Sequence, residues 1–412
     1  MADLAGRLQI ALHRTPEGPV VDIRSSRPVS ASRVFVGRGV METSAGLPAL
    51  FSICSIAQAA ASVAACEQAL GRTAPPETAS LRGNLVDAET VREHLWRLLL
   101  DWPKFLGAGP NGPAMARVMA AFGRLRAALS NGADLMRPGA SDPLPDLASA
   151  LACLDELTAV SAAHLFDQTP AAWLERIASA DRLRAWAQDT DTVAARMLRD
   201  VDSRGWGAYG HSQVRGLPSV LAAAELESRL GGAGAENFVA SPVWGDAPAE
   251  SSPYSRNRGH PLVADLNADY GNGLLPRFAA LLVELASQVV ELRRGIDAMN
   301  SHASWPPRAP DRGPQDGVGI AQVQAARGLL VHRVALEGER VADYRILAPT
   351  EWNFHPQGVV ATGLAAMPDT DDESLLRMAK LFITAVDPCV DYAVTTCRTG
   401  SGSGPGSEKV WE

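Results

Sequence analysis

Two cysteines sit in surroundings that suit metal chemistry: Cys54, in Phe51-Ser52-Ile53-Cys54-Ser55-Ile56-Ala57-Gln58, and Cys389, in Asp387-Pro388-Cys389. Thiolate is a soft ligand for low-valent iron, nickel and zinc, and it binds only after losing its proton. The two lie 335 positions apart (389 minus 54), so only the fold can bring them together. As a pair they are candidate metal ligands, too few by themselves to complete a coordination sphere, although an inert buried thiol is the commoner fate of a single cysteine. The other cysteines are Cys66, Cys153 and Cys397. Cys66 and Cys153 fall in apolar helical stretches and read as core, whereas Cys397 stands as a candidate additional thiolate. No Cys-x-x-Cys occurs, which removes the ordinary zinc and thioredoxin readings.

Other chemistries find little support. His332 falls in an expected strand and His355 before Pro356, and the remaining histidines show no ligand spacing. Gly317-Val318-Gly319-Ile320 precedes a hairpin and does not open a helix after a strand, so it is no dinucleotide fingerprint. Neither Gly-x-Ser-x-Gly nor a phosphate loop is present, which leaves no independent case for a hydrolase or a nucleotide enzyme.

These residues must be positioned by a large, mostly helical chain. At 412 residues, 46% apolar and 20% charged, it can bury a sizeable core. The net charge of -8 and the lack of a Lys/Arg stripe exclude a nucleic-acid surface, whose affinity comes from neutralising phosphates. No signal-like or membrane-spanning run is visible, so no membrane partner is expected and the reading is cytoplasmic. An odd number of cysteines without disulfide-like spacing fits a reducing compartment.

Helical periodicity runs through about 53–70, 88–101, 114–130, 145–163, 172–199 and 275–299, with a last helix at about 371–386 that delivers Asp387-Pro388-Cys389. Hairpins are expected over 7–24 and 328–347. The Gly-, Pro- and Ser-rich stretches 229–274 and 304–320 read as loops, and 398–412 as a flexible Gly/Ser-rich tail to a single domain over 1–397. The expected class is therefore mainly α, a helical core with small β hairpins.

Several segments together resemble the large subunit of nickel-iron hydrogenases, and especially its degenerate relatives, the maturation proteins of the HupK/HoxV type. Cys54 and its neighbours resemble Arg-x-Cys-Gly-x-Cys-x-x-x-His, with Ala49 at the arginine position, Phe51 at the first cysteine and Gln58 at the histidine. Glu250-Ser251-Ser252-Pro253-Tyr254-Ser255-Arg256 resembles Glu-x-Gly-Pro-x-Ala-Arg. Ala326-Arg327-Gly328 is similar to Pro-Arg-Gly, and Pro349-Thr350-Glu351-Trp352-Asn353 to Pro-Thr-Thr-Trp-Asn. Asp387-Pro388-Cys389 resembles Asp-Pro-Cys-x-x-Cys-x-x-His, with Tyr392 at the second cysteine and Thr395 at the histidine. Arg14-Thr15-Pro16-Glu17-Gly18 only hints at Arg-x-Glu-Gly, so Glu17 reads as a turn residue, and Gln324 stands where glutamate is usual.

The resemblance implies a hydrogenase large-subunit-like fold and a metal site in which two of four thiolate positions survive, Cys54 at a bridging and Cys389 at a terminal nickel position. A complete nickel site is not expected. The two thiolates could hold iron bearing cyanide and carbon monoxide, bound transiently, with Arg327 and Thr350 beside the diatomic ligands. The function so implied is a non-catalytic maturation scaffold. It would receive the iron fragment from hydrogenase maturation chaperone and iron-carrier proteins and pass it to the immature hydrogenase large subunit. The rivals are a metal-free structural relative, resembling the large-subunit homologue of respiratory complex I, and a residual thiol or metal enzyme, for which no base is placed by motif.

Overall fold

The computed structural model describes residues 6–15, 18–51, 53–141, 143–301, 317–368 and 370–398. Pro16 and Glu17, Trp305 and the rest of 302–316, and the tail from 399 onward lie outside the described residues.

Helices dominate, as the periodicity predicts. At the centre is Leu274–Asn300, in which every residue from Leu274 to Ala286 is buried. A helix buried on all sides in this way must be wrapped by others, and its two charged members, Arg277 and Glu284, are paired with Glu250 and Arg256. Pro76–Trp96 and Leu147–Ser161 pack against it, Gly112–Ser130 packs on those two helices, and the Trp102 ring lies 4.7 Å from that of Phe278. A smaller apolar cluster, including Leu226, Phe238, Val331 and Trp352, forms apart from this main core.

Pro76–Trp96 begins well before the expected residue 88, with Pro76 in its first turn, where the missing N–H costs nothing. It runs into a widened π turn over Arg97–Asp101. The single helix expected over 172–199 is three: Pro170–Arg176, Ala180–Asp189 and Val193–Ser203. The side chains of Ser179 and Thr192 cap the later two, accepting from Arg182 N and Ala195 N. The stretch 229–274, read as loop from its composition, holds the short helices Ala235–Ala240, Pro253–Asn257 and Pro261–Tyr270. Pro253 and Pro261 open the second and third of these helices, which Ser252 and the His260 ring cap.

Both expected hairpins are present, and each gains a strand. Arg7–Thr15 pairs antiparallel with Gly18–Ser25 and, on its other edge, parallel with Asp391–Arg398, so Arg398 belongs to a strand and not to the tail. Gly328–Glu337 pairs with Arg340–Leu347 and with Val318–Ala325, part of which had the composition of a loop. That third strand lies against the alanine-rich helix Ser55–Ala69. A Cβ on Gly319 would stand 1.9 Å from the Ala65 carbonyl oxygen, so only glycine permits this crossing.

Gly319→Ala is therefore expected to destabilise the protein by about 3 kcal/mol or more, since a backbone oxygen cannot rotate aside as an overpacked side chain can. Gly123, in mid-helix with open space around its Cβ position, gives the opposite sign: Gly123→Ala should stabilise by about 0.5–1 kcal/mol. Urea denaturation of the two variants checks both.

Candidate functional site

Cys54 occupies the N-cap position of Ser55–Ala69, and its carbonyl accepts the Gln58 N–H at 3.0 Å. The next two backbone N–H groups, of Ile56 and Ala57, donate to the two carboxylate oxygens of Glu89 at 3.0 and 2.9 Å. A carboxylate from a neighbouring helix thus fixes the start of the cysteine's own helix. Burial raises the Glu89 carboxyl to about 7, against the downward pull of those two N–H groups and of Arg92. No motif pointed to Glu89. Its only sequence signal is a charged residue on the apolar side of a helix.

Cys389 is placed by the end of helix Asp372–Val386. Asp387 terminates it in the left-handed region at φ +62°, and Pro388 prevents its continuation. The Asp387 carboxylate is held by Arg97, from the π turn, and by the Arg327 Nε at 3.2 Å. Burial acts to raise the Asp387 carboxyl, but Arg327 and then Arg97 outweigh it and hold it below the usual range.

Cys54, Cys389, Arg327 and Thr350 come to one place. The Thr350 hydroxyl lies 2.8 Å from Cys389 Sγ. Burial, then the nearby Cys389 and Glu89, push the Cys54 thiol up, against the opposing pull of Arg327 and Gln58. Arg327 Nη1 donates to Glu93 Oε2 at 2.9 Å, so Arg327 is also a structural ion-pair partner. Its Nε is near enough to Asp387 for charge attraction yet has no hydrogen-bond acceptor, which leaves a buried donor unused. A further guanidinium, that of Arg27, extends Nη1 to within 3.6 Å of Cys389 Sγ while Nε donates to Glu351 at 2.7 Å. Arg27 belongs to no motif singled out in the sequence.

Gln58, at the histidine position of the first motif, turns its amide nitrogen toward Cys54 Sγ at 3.8 Å. Its Oε1 meets His332 Nε2 at 2.9 Å, and His332 Nδ1 meets the Tyr344 hydroxyl at 2.9 Å. Burial lowers His332 to about 3, so the ring is neutral. With Tyr344 donating to Nδ1, the ring carries its proton on Nε2, and this orients the Gln58 amide as a donor to sulfur.

Cys397 is not brought to this place. It pairs with His13 near the far end of Asp391–Arg398, about 20 Å of extended chain beyond Asp391 at the usual rise per residue. Tyr392, at the motif's second cysteine, pairs with Leu8 in the same sheet and is bonded to the Thr384 side chain. Cys66 and Cys153 are buried, and Cys66 is raised to about 11 by burial. Among the described residues no group of three or more His, Cys, Asp and Glu side chains is placed to hold a metal ion. Beside the start of Ser55–Ala69 opens a cleft of about 490 Å³, lined in part by Met41, Ser55, Ile56, Ala59, Arg126 and Arg137. No described helix is long and apolar enough to cross a membrane.

Residues 277–395 match the nickel-dependent hydrogenase family. Over the whole chain, the similarity is to accessory proteins. The hydrogenase expression/formation protein HoxV of Cupriavidus necator is 31% identical, the match covering 92% of this chain and 93% of that protein. HupV of Azotobacter chroococcum, also named a hydrogenase expression/formation protein, is 30% identical over 95% of this chain and 98% of its own. Among solved structures, the Ni-Fe-Se hydrogenase from D. vulgaris Hildenborough in the reduced state superposes with a TM-score of 0.61 at 15% identity, covering 91% of this chain and 94% of that one. An NAD+-reducing NiFe-hydrogenase gives 0.59 at 15% identity over 90% and 93%. The chain belongs to the family of hydrogenase expression/formation proteins of the HoxV and HupK type, on the fold of the nickel-iron hydrogenase large subunit.

Proposed function

We propose that this protein is a non-catalytic maturation scaffold that holds an iron dicyanide carbonyl fragment through Cys54 and Cys389 and passes it to the large subunit of a nickel-iron hydrogenase. The observation that carries this reading is the meeting of two thiols from opposite ends of the chain beside Arg327 and Thr350, while Phe51 and Tyr392 stand at the other two thiolate positions. Two thiolates do not complete a coordination sphere. A cargo that arrives with three diatomic ligands needs little more, and its attachment by two bonds suits later transfer.

The surroundings fit that cargo. Cyanide is a strong hydrogen-bond acceptor and is costly to bury without donors. Arg327 has an unused Nε–H, Thr350 carries a hydroxyl already facing Cys389, and Gln58 presents an amide to Cys54. The role of these residues is to bind and orient the cargo, and the two cysteines must first give up their protons. Chaperone and iron-carrier proteins and the immature large subunit are the expected partners, in the cytoplasm. The cleft beside Ser55–Ala69 offers a route of approach close to Cys54.

The direct test is an infrared spectrum of protein purified without oxygen from hydrogenase-producing cells, together with iron and nickel content. Cyanide and carbonyl bands with iron and without nickel are expected. Metal-free, band-free protein from competent cells would favour instead the structural relative that has lost its metal. Cys54→Ala and Cys389→Ala should each abolish iron binding and both sets of bands, and iron retained in full by either variant contradicts the ligand assignment. Cys397→Ala should leave the iron content unchanged.

Metal uptake should also depend on pH with a definite sign. Cys54 is a protonated thiol at neutral pH because burial and Cys389 raise it, so binding expels that proton. Affinity should rise by about tenfold per pH unit for the Cys54 proton alone, and more steeply where a second thiol proton is released with it, measured by Co2+ titration of the thiolate charge-transfer band between about pH 7 and about pH 8. A flat profile would mean that Cys54 does not bind as a thiolate.

A further inference from the structure

Arg27 lies just past the first hairpin, remote in sequence from every other residue of the thiol site. Its side chain is only 12% exposed. The guanidinium spans two groups, with Nε on Glu351 Oε1 at 2.7 Å and Nη1 3.6 Å from Cys389 Sγ. Glu351 is itself fixed, because its other carboxylate oxygen accepts the Ala348 N–H at 3.1 Å and so caps helix Pro349–Asn353. The adjacent residue Thr350 bonds the same sulfur from its own side. Helix cap, carboxylate, guanidinium and thiol therefore form one rigid series.

A small cavity of about 20 Å³ adjoins this series, lined by Arg27, Phe51, Ala348 and Glu351 among others. It has room for a single water or the end of a diatomic group. Phe51, at the absent first cysteine, forms part of its wall. Glu351 takes the place of a threonine in the Pro-Thr-Thr-Trp-Asn pattern, so the pair that orients Arg27 is a departure from that pattern. The charge on Arg27 is firmly held: burial opposes it, but Glu351, then Cys389 and more weakly Cys54 favour it.

We propose that Arg27 is a second anion-binding arginine of the thiol site, placed on the Cys389 side to donate to one cyanide of the cargo, with Glu351 as its positioning residue. The identity of the ligand rests on the scaffold reading above, but the anion preference of the site does not. A planar, permanently charged guanidinium whose Nε is already tied keeps its orientation when an acceptor arrives. Together with Arg327 it gives the pocket two buried cations for a cargo that carries two anionic ligands and two thiolates.

The test uses Arg27→Gln combined with Glu351→Gln, which removes both charges and keeps an acceptor for Ala348 N. In the metal-free, reduced protein, Cys389 is alkylated in parallel with anionic iodoacetate and neutral iodoacetamide and read by peptide mass. The ratio of the two rates cancels any change in thiol ionisation. It should fall about three- to tenfold in the double variant, and an unchanged ratio overturns the proposal. In protein loaded in cells, at least one cyanide band should shift in the variant while iron remains bound, and identical bands overturn the cyanide assignment. Absence of cyanide bands from the unaltered protein would instead defeat the scaffold reading, leaving the alkylation ratio to decide the role of Arg27. Should the double variant not fold, Arg27→Lys, which keeps the charge and loses the fork, is read by the cyanide bands: at least one should shift while the alkylation ratio is kept, and identical bands overturn the assignment.

Discussion

The site depends on a continuous series of buried charges. The Ile53 carbonyl, one residue before Cys54, accepts from Arg92 Nη2 at 2.9 Å, and Arg92 Nε also donates to Glu93. Glu93 accepts from Arg327, Arg327 pairs with Asp387, and Arg97 closes the series on the same aspartate, two residues before Cys389. Each member is costly to desolvate, and removal of any one leaves a partner charged and unpaired, at a typical cost of about 3–5 kcal/mol. The arrangement adds little net stability for its size. What it supplies is a fixed relation between two cysteines that share no local structure.

This dependence explains what could be read in the sequence. Helix Asp372–Val386 was legible from its periodicity, and the Asp-Pro dipeptide after it marks where Cys389 must leave the helix. Ser55–Ala69 and Leu274–Asn300 were legible for the same reason, as were both hairpins. Cys54, Cys389, Arg327 and Thr350 could be singled out because each lies in a short segment of recognisable pattern. Arg27, Glu89, Arg92 and Arg97 could not be. Their contribution lies in pairings across tens to hundreds of positions, and a charged residue on a helix otherwise looks like solvated surface. The strands Val318–Ala325 and Asp391–Arg398 were missed because each is an edge strand recruited by a hairpin, and short edge strands carry weak alternation of their own. The Gly- and Pro-rich stretch 229–274 misled in the other direction, since Pro253 and Pro261 start helices instead of marking loop.

The replaced positions are not vacant spaces in the packing. Phe51 walls the small cavity beside Arg27, Tyr392 is built into a sheet and bonded to Thr384, and Gln58 is locked by His332 and Tyr344 with its amide toward Cys54. A histidine at position 58 would offer a ring nitrogen able to exchange a proton, whereas a glutamine amide does not titrate and here turns its donor to Cys54 and its acceptor to His332. The substitutions thus remove thiolates and a proton-exchanging group while they preserve a polar, donor-rich wall around two sulfurs. Such a wall is what the proposed scaffold role requires.

The parallel pairing of Arg7–Thr15 with Asp391–Arg398 has a temporal meaning. A ribosome has made almost the whole chain before the partner of the first strand exists, and the second thiol emerges only just ahead of it. Until then the growing polypeptide carries Cys54 without Cys389, and for most of synthesis without Arg327 and Thr350 as well. The two-thiol site and the parallel pair that follows Cys389 can therefore form only after the segment from Arg7 to Cys389 has been made, which places assembly of the site late in folding.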